Sequence, residues 1–288
     1  METDDEKVLA CVDRSGFADH VTDCAAWAAG RLAAPLELLH IIDRQEARPA
    51  AGDHSGAIGI DAQANLLDKL STEDEARTRA AREAGRALLT RLRERASAAG
   101  ADPVDIRRRY GELEETLREQ ETGVRLMVLG RRGEAAETTR RDLGRNVERV
   151  VRALHRPILA VTDDFSEPQR VMVAFDGGAV TRRGVEMLAT SPLCRGLPIL
   201  LLMSGKVSAD GAKRLERAEQ RLAAAGLDVS AELVPGDAET VIAGTARDRR
   251  IDLLVMGAFG HSPLRSLLFG SKTADLLRSS RIPTLLLR

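Results

Sequence analysis

An internal repeat constrains this chain more than any other feature. Val124 to Gly133, VRLMVLGRRG, is matched by Ile251 to Gly260, IDLLVMGAFG, and each is a short apolar run ending on Gly-x-x-Gly. Gly130 and Gly257 stand 127 residues apart. The prolines of RPILAV (Arg156 to Val161) and IPTLLL (Ile282 to Leu287), Pro157 and Pro283, stand 126 apart. Near the front, VLACVD ending at Asp13 pairs with VMVAFD ending at Asp176, 163 residues on, so the first repeat carries 36 extra residues between its Asp and its Gly-x-x-Gly. A period this long makes each repeat a unit with its own core, and 288 residues suit two such units.

The polar stretch Asp163 to Gln169, DDFSEPQ, separates the last strand of one repeat from the first of the next. The expected domains are residues 1–163 and 168–288. The surplus of the first repeat falls mainly in Asp43 to Ser71, where Pro, Gly, Asp and Ser collect, which reads as a surface loop before a longer helix.

In the second repeat the apolar runs predict strands at Arg170 to Phe175, Pro198 to Met203, Val229 to Val234, Asp252 to Met256 and Thr284 to Leu287. Amphipathic helices are expected at Val180 to Ala189, Ala209 to Ala225, Ala238 to Asp248 and Lys272 to Ser279. Continuous aliphatic strands joined by helices imply a parallel sheet covered on both faces. Right-handed crossovers then give an α/β fold of two tandem, doubly wound, five-stranded domains.

The 43 Lys plus Arg nearly cancel the 44 Asp plus Glu, which removes a general electrostatic affinity for nucleic acid or anionic lipid. No nucleic-acid partner and no membrane are expected. The Arg-rich stretch Arg77 to Arg95 alternates with Glu and Ala at helical spacing and reads as a solvated helix face. Met1 to Lys7 lacks the basic and apolar regions of a signal peptide, and no apolar run approaches membrane-spanning length. Cys11, Cys24 and Cys194 form no Cys-x-x-Cys pair and are expected to be small buried hydrophobes in a reducing, cytoplasmic setting.

In doubly wound sheets ligands bind beyond the carboxyl ends of the strands, where strand order reverses. The second repeat places Asp176 at the end of its first strand and Gly257-Ala-Phe-Gly260 at the end of its fourth. Nine residues, His261 to Phe269, precede Gly270-Ser271, which opens a helix. Glycines let backbone approach an anion, and a helix N-terminus presents free amide hydrogens to phosphate. Ser271, Lys272 and Thr273 add a hydroxyl, an ammonium and a second hydroxyl, His261 is within reach of a phosphate, and Asp176 offers a carboxylate to a base amine or a ribose hydroxyl.

The pattern Gly-x2-Gly-x9-Gly-Ser with its upstream Asp resembles the nucleotide-binding motif of the universal stress protein family, in a tandem, two-domain arrangement. That resemblance implies a sandwich like that of the adenine nucleotide alpha hydrolases. It implies adenine contacts from Asp176 and from the backbone of Met203, ribose and phosphate contacts from Gly257 and Gly260, and phosphate contacts from Gly270 and Ser271. The expected cofactor is ATP, with magnesium or manganese. The second repeat departs from the family at Gly178, where a Ser is usual after the Asp, and Thr181 is the candidate to cap the following helix instead.

In the first repeat the corresponding set is Asp13, Ile42, Gly130, Gly133, Gly144 and Arg145. Ten residues rather than nine precede Gly144, and Arg145 stands where the family has Ser or Thr. This predicts a weakened N-terminal site.

Other chemistries lack their residues. Gly270-Ser-Lys-Thr273 echoes the end of a Walker loop, but position 265 is Arg and position 271 is not Lys. The dinucleotide fingerprint and the Gly-x-Ser-x-Gly elbow are absent, and His20, His40, His54, His155 and His261 have neither the spacing nor the cysteine neighbours of a zinc site. No catalytic nucleophile or base is assigned. The expected role is regulatory ATP binding in a stress response, against a slow ATP-hydrolysing or phosphotransfer enzyme of the same superfold and a nucleotide-free scaffold. The last strand of each repeat, Ile158 to Val161 and Thr284 to Leu287, is short and aliphatic and would leave an open edge; such strands pair across a dimer in the family, so the resemblance implies that the two domains pair there as a pseudo-dimer, with a further homodimer open.

Overall fold

The computed structural model describes residues 6–42, 60–131, 145–162, 164–258 and 282–288, with the backbone alone at 60–78 and 145–148. The first repeat runs β1 (Lys7–Val12), α1 (Ala18–Leu32), β2 (Leu36–Ile42), α2 (Ile60–Ala98), β3 (Val104–Tyr110), α3 (Leu113–Glu119), β4 (Val124–Gly130), α4 (Arg145–Ala153) and β5 (Ile158–Val161). The second runs β6 (Val171–Ala174), α5 (Ala179–Thr190), β7 (Ile199–Ser204), α6 (Ala209–Ala224), β8 (Val229–Val234), α7 (Ala238–Asp248), β9 (Leu253–Gly257) and β10 (Thr284–Leu287).

The ten strands form one sheet in the order β3-β2-β1-β4-β5-β10-β9-β6-β7-β8. Pairing within each half is parallel, and the seam, Leu285 opposite Leu159, is antiparallel. Alternating strand residues feed two cores. Val8, Ala10, Leu36 and Leu38, with Val173 and Leu201, pack under α1, α2, α5 and α6. Leu9, Leu39 and Met127, with Leu254 and Leu286, pack under α3, α4 and α7 on the opposite face. Aliphatic side chains on both faces explain the continuous apolar strands of the sequence.

The expected second-repeat strands and the first three helices fall within a residue of their observed bounds. The expected helix Lys272 to Ser279 lies outside the described residues. The expected loop Asp43 to Ser71 is too long, because α2 already begins at Ile60. The turn-forming residues Pro49, Gly52, Ser55, Gly56 and Gly59 all precede that point, whereas Ala62, Ala64, Leu66, Leu67 and Leu70 are helix formers.

Further along α2, Gly85, Leu89, Leu92 and Ala96 turn inward while the intervening arginines are exposed, as the charge pattern predicts. Arg91 reaches Asp19, and Arg95 grips Asp23 of α1 through Nε and Nη2 at 2.6 and 2.7 Å.

Between the halves, Phe165 tilts against Trp27 at 6.3 Å, and Gln169 and Arg170 donate their amides to Asp252. Among the described residues two arginines bridge the repeats. Arg31 donates to the carbonyls of Leu193 and Arg195, and Arg288 Nη1 donates to those of Val151, Arg152 and Leu154 at the end of α4. Carbonyls at a helix C-terminus lack partners within the helix, so a guanidinium there acts as a cap supplied from the other repeat.

At Gly184 of α5 an added Cβ would overlap Leu287 Cδ1, so helix and strand approach closely because the side chain is missing. The first repeat has Val21 and Val161 at the corresponding positions, both buried in the same core. Gly184→Ala is therefore expected to destabilise the protein by roughly 1–3 kcal/mol through overpacking. Leu287→Val in the same chain should recover most of the loss in denaturant midpoint, and an unchanged midpoint for Gly184→Ala alone would contradict the close approach.

Candidate functional site

Strand order reverses between β1 and β4 in one half and between β6 and β9 in the other, so the carboxyl ends of these pairs border the cleft of each half. In the second half β6 continues through Phe175, whose amide donates to Leu202, and delivers an exposed Asp176. The Oδ1 of Asp176 accepts from the Gly178 amide at 2.7 Å and from Thr181 Oγ1 at 2.6 Å. No hydrogen bond among the described residues engages Oδ2. The carboxylate is thus tied by one oxygen and open at the other.

Gly177 has φ +71°, and Arg214 of α6 lies across it, Nε 3.0 Å from where a Cβ would stand. A side chain at 177 would be strained and would displace the arginine. Arg214 Nη2 pairs with Asp210 at 3.1 Å, while its buried Nε has no partner.

Gly257 closes β9 beside β6, and a Cβ there would meet Thr181 Cγ2 and Val180 Cγ1, each at 3.2 Å. Met203 of β7 is buried, with its Sδ 3.4 Å from a Cβ built on Gly211 of α6. Asp176, Met203 and Gly257 thus stand at the ends of three adjacent strands. Gly260, His261, Gly270, Ser271, Lys272 and Thr273 lie outside the described residues.

Thr181 does not cap α5, contrary to expectation. Gly178 holds the N-cap position without a side-chain bond, and the Thr181 hydroxyl turns back to Asp176 because an ionised acceptor outcompetes a neutral carbonyl, Gly178 O at 3.3 Å.

In the first half Asp13 Oδ1 accepts from both the amide and the hydroxyl of Ser15. Ser15 corresponds to Gly178, so the hydroxyl that fixes the carboxylate comes two residues after the Asp in one repeat and five residues after it in the other. Gly130 ends β4 opposite Val161, and Arg145 lies in α4. Gly133 and Gly144 lie outside the described residues.

The register of β2 sets His40, not Ile42, at the counterpart of Met203: Val12 pairs with His40, and Met203 falls one place beyond the Ala174–Leu202 pair. Counting 27 residues from Asp13, as from Asp176 to Met203, finds it. His40 is buried, its Nδ1 2.9 Å from the Val12 carbonyl and its Cδ2 3.0 Å from a Cβ built on Gly85 of α2. An imidazole thus stands where the second half has a thioether. Arg214 left no comparable signal, since it is 38 residues downstream of Asp176 on another helix.

The cysteines offer no reactive thiolate. Burial pushes Cys11 up to about 12, with Asp13 adding to the rise, and likewise Cys194 to about 12, opposed by Arg31. Burial also pushes Cys24 well above its ordinary value. Cys24 and Cys194 are buried as expected, whereas Cys11 packs at the margin of the second core and keeps part of its surface exposed. Among the described residues no group of three or more His, Cys, Asp or Glu is arranged to hold a metal, and no helix is long and apolar enough to cross a membrane.

Comparison with solved structures agrees with this architecture. A universal stress protein from Archaeoglobus fulgidus superposes with a TM-score of 0.67 at 16% identity, covering 99% of this chain and 96% of that one. One from Pseudomonas aeruginosa gives 0.60 at 16% identity, covering 100% and 95%. In sequence, Universal stress protein Slr1230 of Synechocystis is 32% identical over 286 residues, which is 98% of this chain and 100% of the relative. The profile of the universal stress protein family matches residues 6–162 and again 196–288. With both repeats matched and a relative aligned along nearly the whole length, the chain belongs to the universal stress protein family.

Proposed function

We propose that this protein is a regulatory, cytoplasmic adenine-nucleotide binder that takes ATP in its second domain, residues 168–288, in a stress response. The observation that carries the reading is the Asp176 carboxylate at the switch point, fixed through Oδ1 and open at Oδ2 beside the side-chain-free backbone of Gly257. An open carboxylate oxygen suits an exocyclic amine or a ribose hydroxyl, and the missing side chain of Gly257 lets the first turn of α5, which carries Thr181, pack against the end of β9 beside it. The Gly260, Gly270, Ser271, Lys272 and Thr273 set, with His261, supplies the phosphate end by resemblance to the family motif. A magnesium or manganese ion would ride on the phosphates, since the described part of the cleft gathers no carboxylate cluster for it.

The first domain, residues 1–163, is the weaker site, because His40 stands at the base position and Arg145 where the family has Ser or Thr. The antiparallel β5–β10 pairing and the Arg31 and Arg288 bridges support reading the two domains as an intramolecular pseudo-dimer.

Calorimetric titration with magnesium ATP tests the reading. The wild-type chain should take up a single tight equivalent, and Asp176→Ala should weaken it by roughly tenfold, the scale of one hydrogen bond to a charged group. Absence of uptake by the wild type, or equal affinity in folded Asp176→Ala, overturns it.

A further inference from the structure

Asp176 and Gly257 stand 81 residues apart in sequence, yet one side chain packs at both. Thr181 lies in the first turn of α5 and is 5% exposed, with its hydroxyl 2.6 Å from Asp176 Oδ1 and its methyl packed where a Cβ on Gly257 would stand, 3.2 Å away. The first repeat has no hydroxyl at the position of Thr181. Its Asp13 is held by Ser15, and the position of Thr181 is occupied by Ala18.

Gly178 has no side chain to offer a donor. A Cβ there would lie 2.9 Å from Asp176 Oδ1 and 3.3 Å from Oδ2, so the carboxylate would have to shift from its present position to admit one. Thr181, one helical turn further on, supplies the second donor from the other side. A carboxylate gripped by two donors on one oxygen loses rotational freedom, and the other oxygen keeps a fixed direction.

We infer that Thr181 is the positioning residue of the second-domain site: its hydroxyl sets the direction of Asp176 Oδ2 toward the base or ribose, and its methyl sets the Gly257 backbone beside it. The inference rests on the nucleotide reading above and names a residue outside the glycine motif. A threonine is the side chain that serves both contacts. Serine keeps the hydroxyl alone, and valine keeps the shape without the donor.

Two variants therefore separate the roles, read by calorimetry with magnesium ATP and with AMP. Thr181→Val should weaken both nucleotides by a similar factor, roughly fivefold to tenfold, because the loss is at the base and ribose end and not at the outer phosphates. Thr181→Ser should stay within about threefold of wild type. In an Asp176→Ala background Thr181→Val should add nothing further, since its effect on affinity passes through that carboxylate.

Loss of affinity that persists in the Asp176→Ala background assigns Thr181 a general structural role and overturns the inference, as does wild-type affinity in Thr181→Val while Asp176→Ala is weakened. In that second case the nucleotide reading survives. No uptake by the wild type removes both. If Thr181→Val proves unfolded by circular dichroism, the comparison moves to Thr181→Ala against Thr181→Ser, with rescue by the hydroxyl as the deciding result.

Discussion

Gly270→Val is expected to remove measurable ATP uptake, while Gly144→Val leaves the isotherm close to that of the wild type. In sequence both glycines immediately precede a polar or charged residue of the family motif, Gly270 before Ser271 and Gly144 before Arg145. If the motif holds phosphate on backbone amides at the start of a helix, as the proposed function has it, a β-branched side chain on the glycine occupies the volume the phosphate needs. The asymmetry between the two variants comes from the other end of each site. The second half presents an open Asp176 oxygen and a thioether at Met203, whereas the first half places the His40 imidazole against Val12 and α2. Ser271→Ala removes one neutral contact and should weaken ATP by roughly fivefold to tenfold, about 1 kcal/mol. The reverse outcome, loss on Gly144→Val with Gly270→Val intact, moves the working site to the first half. Two equivalents of similar affinity make Arg145 a phosphate ligand.

Leu286→Pro should break the seam between the halves. In β10 the carbonyls of Pro283 and Leu287 bond to Leu254 and Ala258 on the β9 side. Backbone groups alternate sides along a strand, so the Leu286 amide is directed at β5, where Leu286 stands opposite Ile158. Proline removes that donor and sets a ring against the neighbouring strand, at a cost on the order of 3 kcal/mol, the scale of a proline forced into regular structure. The Arg288 contacts with the end of α4 lie two residues away and should be lost with the seam. Solution scattering should then show a larger radius of gyration, and thermal unfolding should split into two transitions. A compact particle melting once at the wild-type temperature counts against a seam made by these strands.

The sequence determined the architecture because the information is local and redundant. Strands buried on both faces must be aliphatic throughout, and their crossover helices must be amphipathic, so Ile199–Ser204 or Ala238–Asp248 is legible without any knowledge of its neighbours. The repeat then doubles each signal, and the Asp and Gly positions at the strand ends follow from the topological switch. The error over residues 60–71 arose where this redundancy stops, since the extra length of the first repeat has no counterpart in the second to calibrate a helix start.

What the tertiary structure alone decided are matters of packing and direction. The position of His40 as the counterpart of Met203 is not among them: apolar patterning at Leu36–Ile42 does not resolve it, but the 27-residue count from Asp13 does, and the strand pairing agrees. Packing puts Arg214 over Gly177 and leaves its Nε unpartnered. Most consequentially, whether Thr181 caps its own helix or holds Asp176 depends on which acceptor lies within about 3 Å of a hydroxyl. That is fixed by how closely the end of β6, the first turn of α5 and the end of β9 are drawn together. The sequence names the donor and both acceptors, but only the packed core sets the tenths of an ångström that choose between them.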